Sequence, residues 1–156
     1  MSVQSGLTFD DCLKGLRAIF AGWRGRSASL AATYDGSDVE IDKLMSLWHD
    51  IRRVKDSVEV IRLRVVAIGA AAFRTYAESQ YGSSYDIVTE AQTFVSNLTA
   101  VQDAIVTAVG GIDAQGFIAG QYIRLANDAP YLKMVTSAEY AGVVTAAQAS
   151  ISFVAP

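Results

Sequence analysis

The chain has 156 residues, 51% of them apolar, which is about one domain and enough to bury a core without disulfide or metal staples. A net charge of -3 gives no reason to expect sequence-specific nucleic-acid binding, and a single cysteine excludes an internal disulfide and a cysteine-rich metal site. Met1 to Thr8 lacks the basic and apolar regions of a secretory signal, and the longest strongly apolar run, Val65 to Phe73, falls far short of the ~20 residues of a membrane span. The expectation is a soluble protein made in the cytoplasm, with no membrane partner.

Helix 1 is predicted to start near Thr8, whose hydroxyl can cap the amide of Asp11, with Asp10 and Asp11 at the positive end of the dipole. Its inward stripe reads Phe9, Cys12, Leu13, Leu16, Ile19, Phe20 and Trp23, which makes Cys12 a small buried hydrophobe. Leu30 and Tyr34 extend the stripe past Gly25, and Asp35-Gly36 stops it. Helix 2 opens with a Ser37–Glu40 capping box and runs from about Asp38 to Tyr81, softened at Gly69.

Helix 2 carries an a/d seam at 3-4 spacing: Leu44, Leu47, Ile51, Val54, Val58, Ile61, Val65, Ile68 and Ala72. Those 29 residues span about 43 Å at ~1.5 Å each. Pairs such as Asp50/Arg53, Lys55/Glu59 and Glu59/Arg62 lie on its solvated side. Gly82-Ser83-Ser84 is a connection short enough to force an antiparallel return. Helix 3, from about Tyr85 to Val109, repeats the seam with Ile87, Ala91, Phe94, Leu98, Val101, Ile105 and Ala108, and ends at Gly110-Gly111. Phe117 to Leu125 favours β structure, Asn127 to Pro130 is a turn, and Tyr131 to Val135 returns as a second strand. Such a hairpin must lie on the helices or pair with another subunit. Thr136 to Glu139 is a capping box that opens a last helix with Tyr140, Val143, Val144, Ala147 and Ile151 inward. The predicted fold is mainly α: a long antiparallel helical hairpin in a three-helix bundle, a β-hairpin at about 117–135 and a C-terminal helix, in one domain over 1–156.

No constellation of catalytic groups accompanies this pattern, so a non-enzymatic role without cofactor or metal is expected. His49, the only histidine, has no ligand-type residue three or four positions away. A di-iron bundle needs Glu-x-x-His pairs, which excludes one built on Glu78, Asp86, Glu90 and Asp103. Gly110 to Gly116 lacks the P-loop lysine and the dinucleotide-binding spacing. Arg52, Arg53, Lys55, Arg62 and Arg64 are interleaved with Asp50, Asp56 and Glu59, a mixed-charge solvated face rather than a nucleic-acid stripe.

Charge is unevenly distributed. There are 11 Lys/Arg and 10 Asp/Glu up to Gln80, but only Arg124 and Lys133 against six acids from Tyr81 onward. A weakly charged surface on that portion suggests cover by other subunits. Trp23, Trp48, Phe73, Tyr76, Tyr81 and Tyr85 bracket helix ends, where core packing is the plain reading and a subunit interface the sharper one. The interface candidates are Trp23, Arg24 and Arg26, together with Tyr122 and Tyr131 on the hairpin.

The stretch Tyr131-Leu-Lys-Met-Val-Thr-Ser-Ala-Glu-Tyr-Ala-Gly142, after the glycine-rich Phe117 to Leu125, resembles the tails of small virion proteins of tailed bacteriophages. In those, a long helical hairpin precedes a short β-hairpin and a Thr/Ser-x-x-x-x-Ala-Gly helix. The resemblance implies a homo-oligomeric structural subunit of a phage particle, in the virion after synthesis in the host cytoplasm. Its expected place is the head–tail connector, or neck, with portal and tail components as partners. It supplies no catalytic residues, and Pro156 directly after the last helix departs from the long docking tail of neck adaptors. Other readings left open are a tail or fibre-attachment protein, a regulatory coiled-coil adaptor, and a cytosolic helical bundle binding a small apolar ligand.

Overall fold

A computed structural model describes residues 8–37, 39–82, 87–112 and 134–151. Among them are five helices and two very short strands: α1 (Phe9–Thr33), β1 (Val39–Glu40), α2 (Ile41–Ile68), α3 (Ala70–Tyr81), α4 (Ile87–Val109), β2 (Met134–Val135) and α5 (Ser137–Ala149). Two of these helices begin with a reciprocal cap, expected in full at Thr136 and, at Thr8, only for the hydroxyl-to-amide half. The Thr8 hydroxyl accepts from the Asp11 amide while the Asp11 carboxylate accepts from the Thr8 amide, and Thr136 and Glu139 repeat the arrangement at α5. At the end of α4, the amides of Gly110 and Gly111, both at positive φ, donate to the Val106 carbonyl.

The apolar faces assemble a four-cornered bundle. The rod formed by α2 packs between α1 and α4, while α5 lies on the far side between α4 and α1. Gln102, two-thirds along α4, reaches Trp48 in the first third of α2 and Lys55 at its middle, as α4 returns antiparallel to that rod. The C-terminal helix is therefore a fourth member of the bundle rather than an appendage to three. Its inward residues Val143 and Ala147 are fully buried, and Phe20 meets Phe94 edge-on at 5.1 Å in the middle. Close approach of α1 to α2 depends on Gly15, where a Cβ would stand 3.0 Å from Ile61 Cδ1.

Three expectations need correction. The Ser37–Glu40 capping box does not form, because Val39 and Glu40 are extended and pair antiparallel with Met134 and Val135. The Ser37 amide instead donates to Asp35 Oδ1 at 2.9 Å, a local turn that outcompetes the helix start. The β-hairpin at 117–135 is not seen: residues 113–133 lie outside the described residues, and Met134–Val135, the end of the expected second strand, pair with β1.

Finally, the rod expected from Asp38 to Tyr81 is two helices, parted at Gly69 with φ +134°, a conformation that side chains with a Cβ rarely adopt. A straight continuation of the seam would bury Ile68 and Ala72. The break offsets α3 by one position, so Phe73 and Ala77 are fully buried, while Ala72 is exposed and Ile68 is 38% exposed. Exchanging an alanine for a phenylalanine in the core, where Phe73 meets Phe9 edge-on at 5.8 Å, is the physical reason for the break.

Candidate functional site

With its seam turned inward, the α2–α3 rod presents its opposite side outward, and that side changes character along its length. Toward the start of α2 it is charged, with Arg52, Arg53 and Asp56 exposed. From Val60 onward it is apolar: Val60, Leu63 and Val66 are 61%, 54% and 56% exposed, and Ala67, Ala70, Ala71 and Ala72 are exposed beside them. No charged residue stands between Arg64 and Arg74. Scattered exposed aliphatics are ordinary, but a contiguous run on one helical face is the pattern of a surface that another molecule covers.

Ionic contacts frame this face. Arg62 makes a bidentate contact with Glu59, at 2.8 and 2.6 Å, which holds the Glu59 carboxyl below its usual range. Where α3 meets α1, the Arg17 guanidinium lies 4.6 Å from the centre of the Tyr81 ring. At the same junction Asp10 accepts from Lys14 and from the Tyr76 hydroxyl, both at 2.8 Å. The lysine first and the phenol second lower the Asp10 pKa, and the bond to Asp10 raises that of Tyr76.

A second feature is a cleft of about 510 Å³ where the end of α1 faces β1, the start of α2 and α5. Arg26, Lys43 and Asp35 line it with Thr33, Tyr34 and Ser37, beside Leu30, Leu44 and Tyr140. Val39 and Leu47 add to the apolar part, so the lining is polar and apolar in about equal measure.

The sequence-derived site residues fall in different places. Of the two seams, Leu44, Leu47, Ile51, Val58, Val65, Ile87, Phe94, Leu98, Val101 and Ile105 are buried, Val54 and Ile61 are half-buried, and Ile68 is exposed. Trp23 is an interior residue, 3% exposed, and its indole N–H donates to Ser150 Oγ at 2.7 Å. Arg26 pairs with Asp50 at 3.0 Å, a carboxylate that also takes Arg53. Arg24 is half-buried, and Tyr122 and Tyr131 lie outside the described residues. His49 is half-buried with its ring against Trp48, and no cluster of three metal-ligating side chains occurs among the described residues. Cys12 is fully buried, which raises its thiol pKa. Among the described residues, no helix is long and apolar enough to cross a membrane.

Two features escaped the sequence reading. Gln102, 7% exposed inside the α2–α4 contact, accepts from Lys55 Nζ at 2.8 Å and donates to the Trp48 carbonyl at 3.3 Å. The outer apolar face was also missed. Its signal was Val60, Leu63 and Ala67, a second 3-4 row on a helix already furnished with one seam. The outward side of α4 differs again: Thr89, Gln92, Thr93, Ser96, Ala100, Asp103 and Thr107 make a surface with one charge. Comparison with protein-family models, with curated proteins and with solved structures yields no match.

Proposed function

We propose that this protein is a non-enzymatic structural subunit that works by assembling with copies of itself. The observation that carries this reading is the outer α2–α3 face, where Val60, Leu63 and Val66 stand exposed on one side of the bundle. Its free-energy logic is simple. Covering what remains exposed of each such side chain is worth about 1–1.5 kcal/mol, a gain available only through contact with another molecule. The nearly uncharged α4 surface supports the same reading, since it opposes close approach of a neighbour only weakly.

The assembly belongs to a tailed-phage particle, at the head–tail connector, in contact with portal and tail components. This part of the proposal is supported by the resemblance of residues 131–142 to phage virion proteins, and by the order of helical hairpin and C-terminal capped helix. The bundle serves as a stiff spacer, because all four corners share one core.

Sedimentation velocity on the purified protein tests assembly, and mass spectrometry of purified particles from the source tests location. An oligomer, and the chain among the virion proteins, are the expected results. A monomer at every concentration combined with absence from particles would overturn the reading.

A further inference from the structure

We infer that the cleft between the end of α1, β1, the start of α2 and α5 binds a small organic acid. The Tyr140 hydroxyl donates to its carboxylate, Lys43 and Arg26 supply positive charge, and its hydrocarbon body lies along Leu30 and Val39. This ligand site is separate from the exposed outer face of α2–α3.

Two tyrosines meet edge-on in the cleft, with ring centres 5.4 Å apart, and only one has spent its hydroxyl. Tyr34 donates to the Ser137 carbonyl at 3.1 Å. Tyr140 is 8% exposed and lines the cleft, yet its hydroxyl has no hydrogen-bond partner among the described residues. Nor is that oxygen sealed inside the protein, so it opens into the cleft. Burial pushes the phenol pKa up, which keeps it a protonated donor at neutral pH. Core packing does not call for this oxygen, because phenylalanine would fill the same place with no polar group to desolvate. A buried donor that faces a hollow and has no protein acceptor points to an acceptor brought by a ligand.

The charges around Tyr140 select the class of that acceptor. Asp50 is shared between Arg26 and Arg53, so this cluster keeps one net positive charge. Arg26 is near enough to the Tyr140 phenol to favour its ionised form, although burial outweighs it. Asp35, the acid on the lining, is engaged by its own turn: it accepts from the Ser37 amide at 2.9 Å and from the Ser37 side chain. Lys43 acts on Asp35 only through space and makes no ion pair among the described residues. Asp42 lines a neighbouring hollow instead. An ionised acceptor gains more from the Tyr140 O–H than a neutral one, and only an anion gains from Lys43 and Arg26 as well. Leu30, Val39, Leu44 and Leu47 make the remainder of the lining apolar, which suits one acid head on a short hydrocarbon body. A volume of about 510 Å³ is that of a small-molecule pocket rather than of a protein–protein contact.

The test titrates octanoate into the full-length protein, followed by calorimetry and by amide NMR shifts, with octanol and octylammonium as its neutral and cationic counterparts. Saturable octanoate binding is expected, with shifts centred on Tyr34, Lys43 and Tyr140, and both counterparts should bind more weakly. Tyr140→Phe should weaken octanoate by about five-fold or more and leave octanol unchanged. The same variant should melt no lower than wild type, since it loses no internal hydrogen bond. Lys43→Gln should weaken octanoate by a similar factor. Octanol bound as tightly as octanoate would overturn the acid head. A Tyr140→Phe variant that keeps full octanoate affinity, or that melts lower, would overturn the role of the hydroxyl. No saturation by octanoate in the millimolar range, or shifts centred elsewhere, would overturn the site. None of these outcomes depends on whether the protein assembles.

Discussion

Trp23, Asn97 and Ser150 meet where α1, α4 and the end of α5 converge. The Trp23 indole donates to Ser150 Oγ, which donates in turn to the Ala147 carbonyl at 2.6 Å, and Asn97 donates to the Ser150 carbonyl at 3.3 Å. Trp23→Phe keeps most of the apolar volume and removes the indole N–H. The cost should be about 1–2 kcal/mol in urea unfolding, the usual effect of stripping one partner from a buried bond. An unchanged midpoint would mean that Ser150 satisfies itself locally. That Trp23 faces inward is legible from its place three residues after Phe20. Its partner is not, because a serine 127 residues away leaves no mark in local periodicity. Asp10 and Tyr76 offer a pH test. The lowered carboxyl makes their contact complete above the ordinary 3.8, and the contact is lost as pH falls through the lower native value. The raised phenol makes it complete below the ordinary 10.0, and it is lost as pH rises through the higher native value. Thermal melts of wild type should therefore exceed those of Tyr76→Phe across neutral pH and converge with them at both extremes.

The elements show which signals travel well from sequence to structure. Thr8/Asp11 and Thr136/Glu139 form the caps their spacing promises, because each cap is decided within four residues and nothing distant competes. Ser37/Glu40 has equivalent spacing, yet β2 claims Val39 and Glu40 for a strand. That competitor sits almost a hundred positions downstream and cannot be read locally. The Gly69 break was legible as a weak point but not as an offset, since only the finished core sets Phe73 against Ala72 in value. Gly69→Ala has room for its methyl, 3.9 Å from the nearest side chain, so its penalty is conformational. It should cost about 1–3 kcal/mol of stability, measured by denaturant unfolding. A stability gain with a larger helical signal would show that the offset is dispensable.

At the scale of the whole molecule, the inner and outer sides of one rod perform separate work. Ile61 lies half-buried against Gly15 of α1, whereas Arg62 next to it contacts Glu59 on the solvated side. Ile61→Asp should lower stability by roughly 3 kcal/mol or more, by placing a charge in the bundle. Arg62→Asp should leave the thermal midpoint nearly unchanged, and equal midpoints for the two would refute the inside–outside assignment. The inner seam was readable because it repeats for about eight turns. The outer face was hidden because Val60 and Leu63 look like surplus members of a helix whose apolar quota is already met.

Because α1 and α5 are neighbours in the bundle, its first and last corners close against each other. A ribosome adding about 5–20 residues per second takes on the order of ten seconds to cover the distance between them. Throughout that interval the newborn α1, with Leu13, Leu16, Phe20 and Trp23, has only part of its eventual shelter, which makes it a natural client for chaperones that hold unfinished chains.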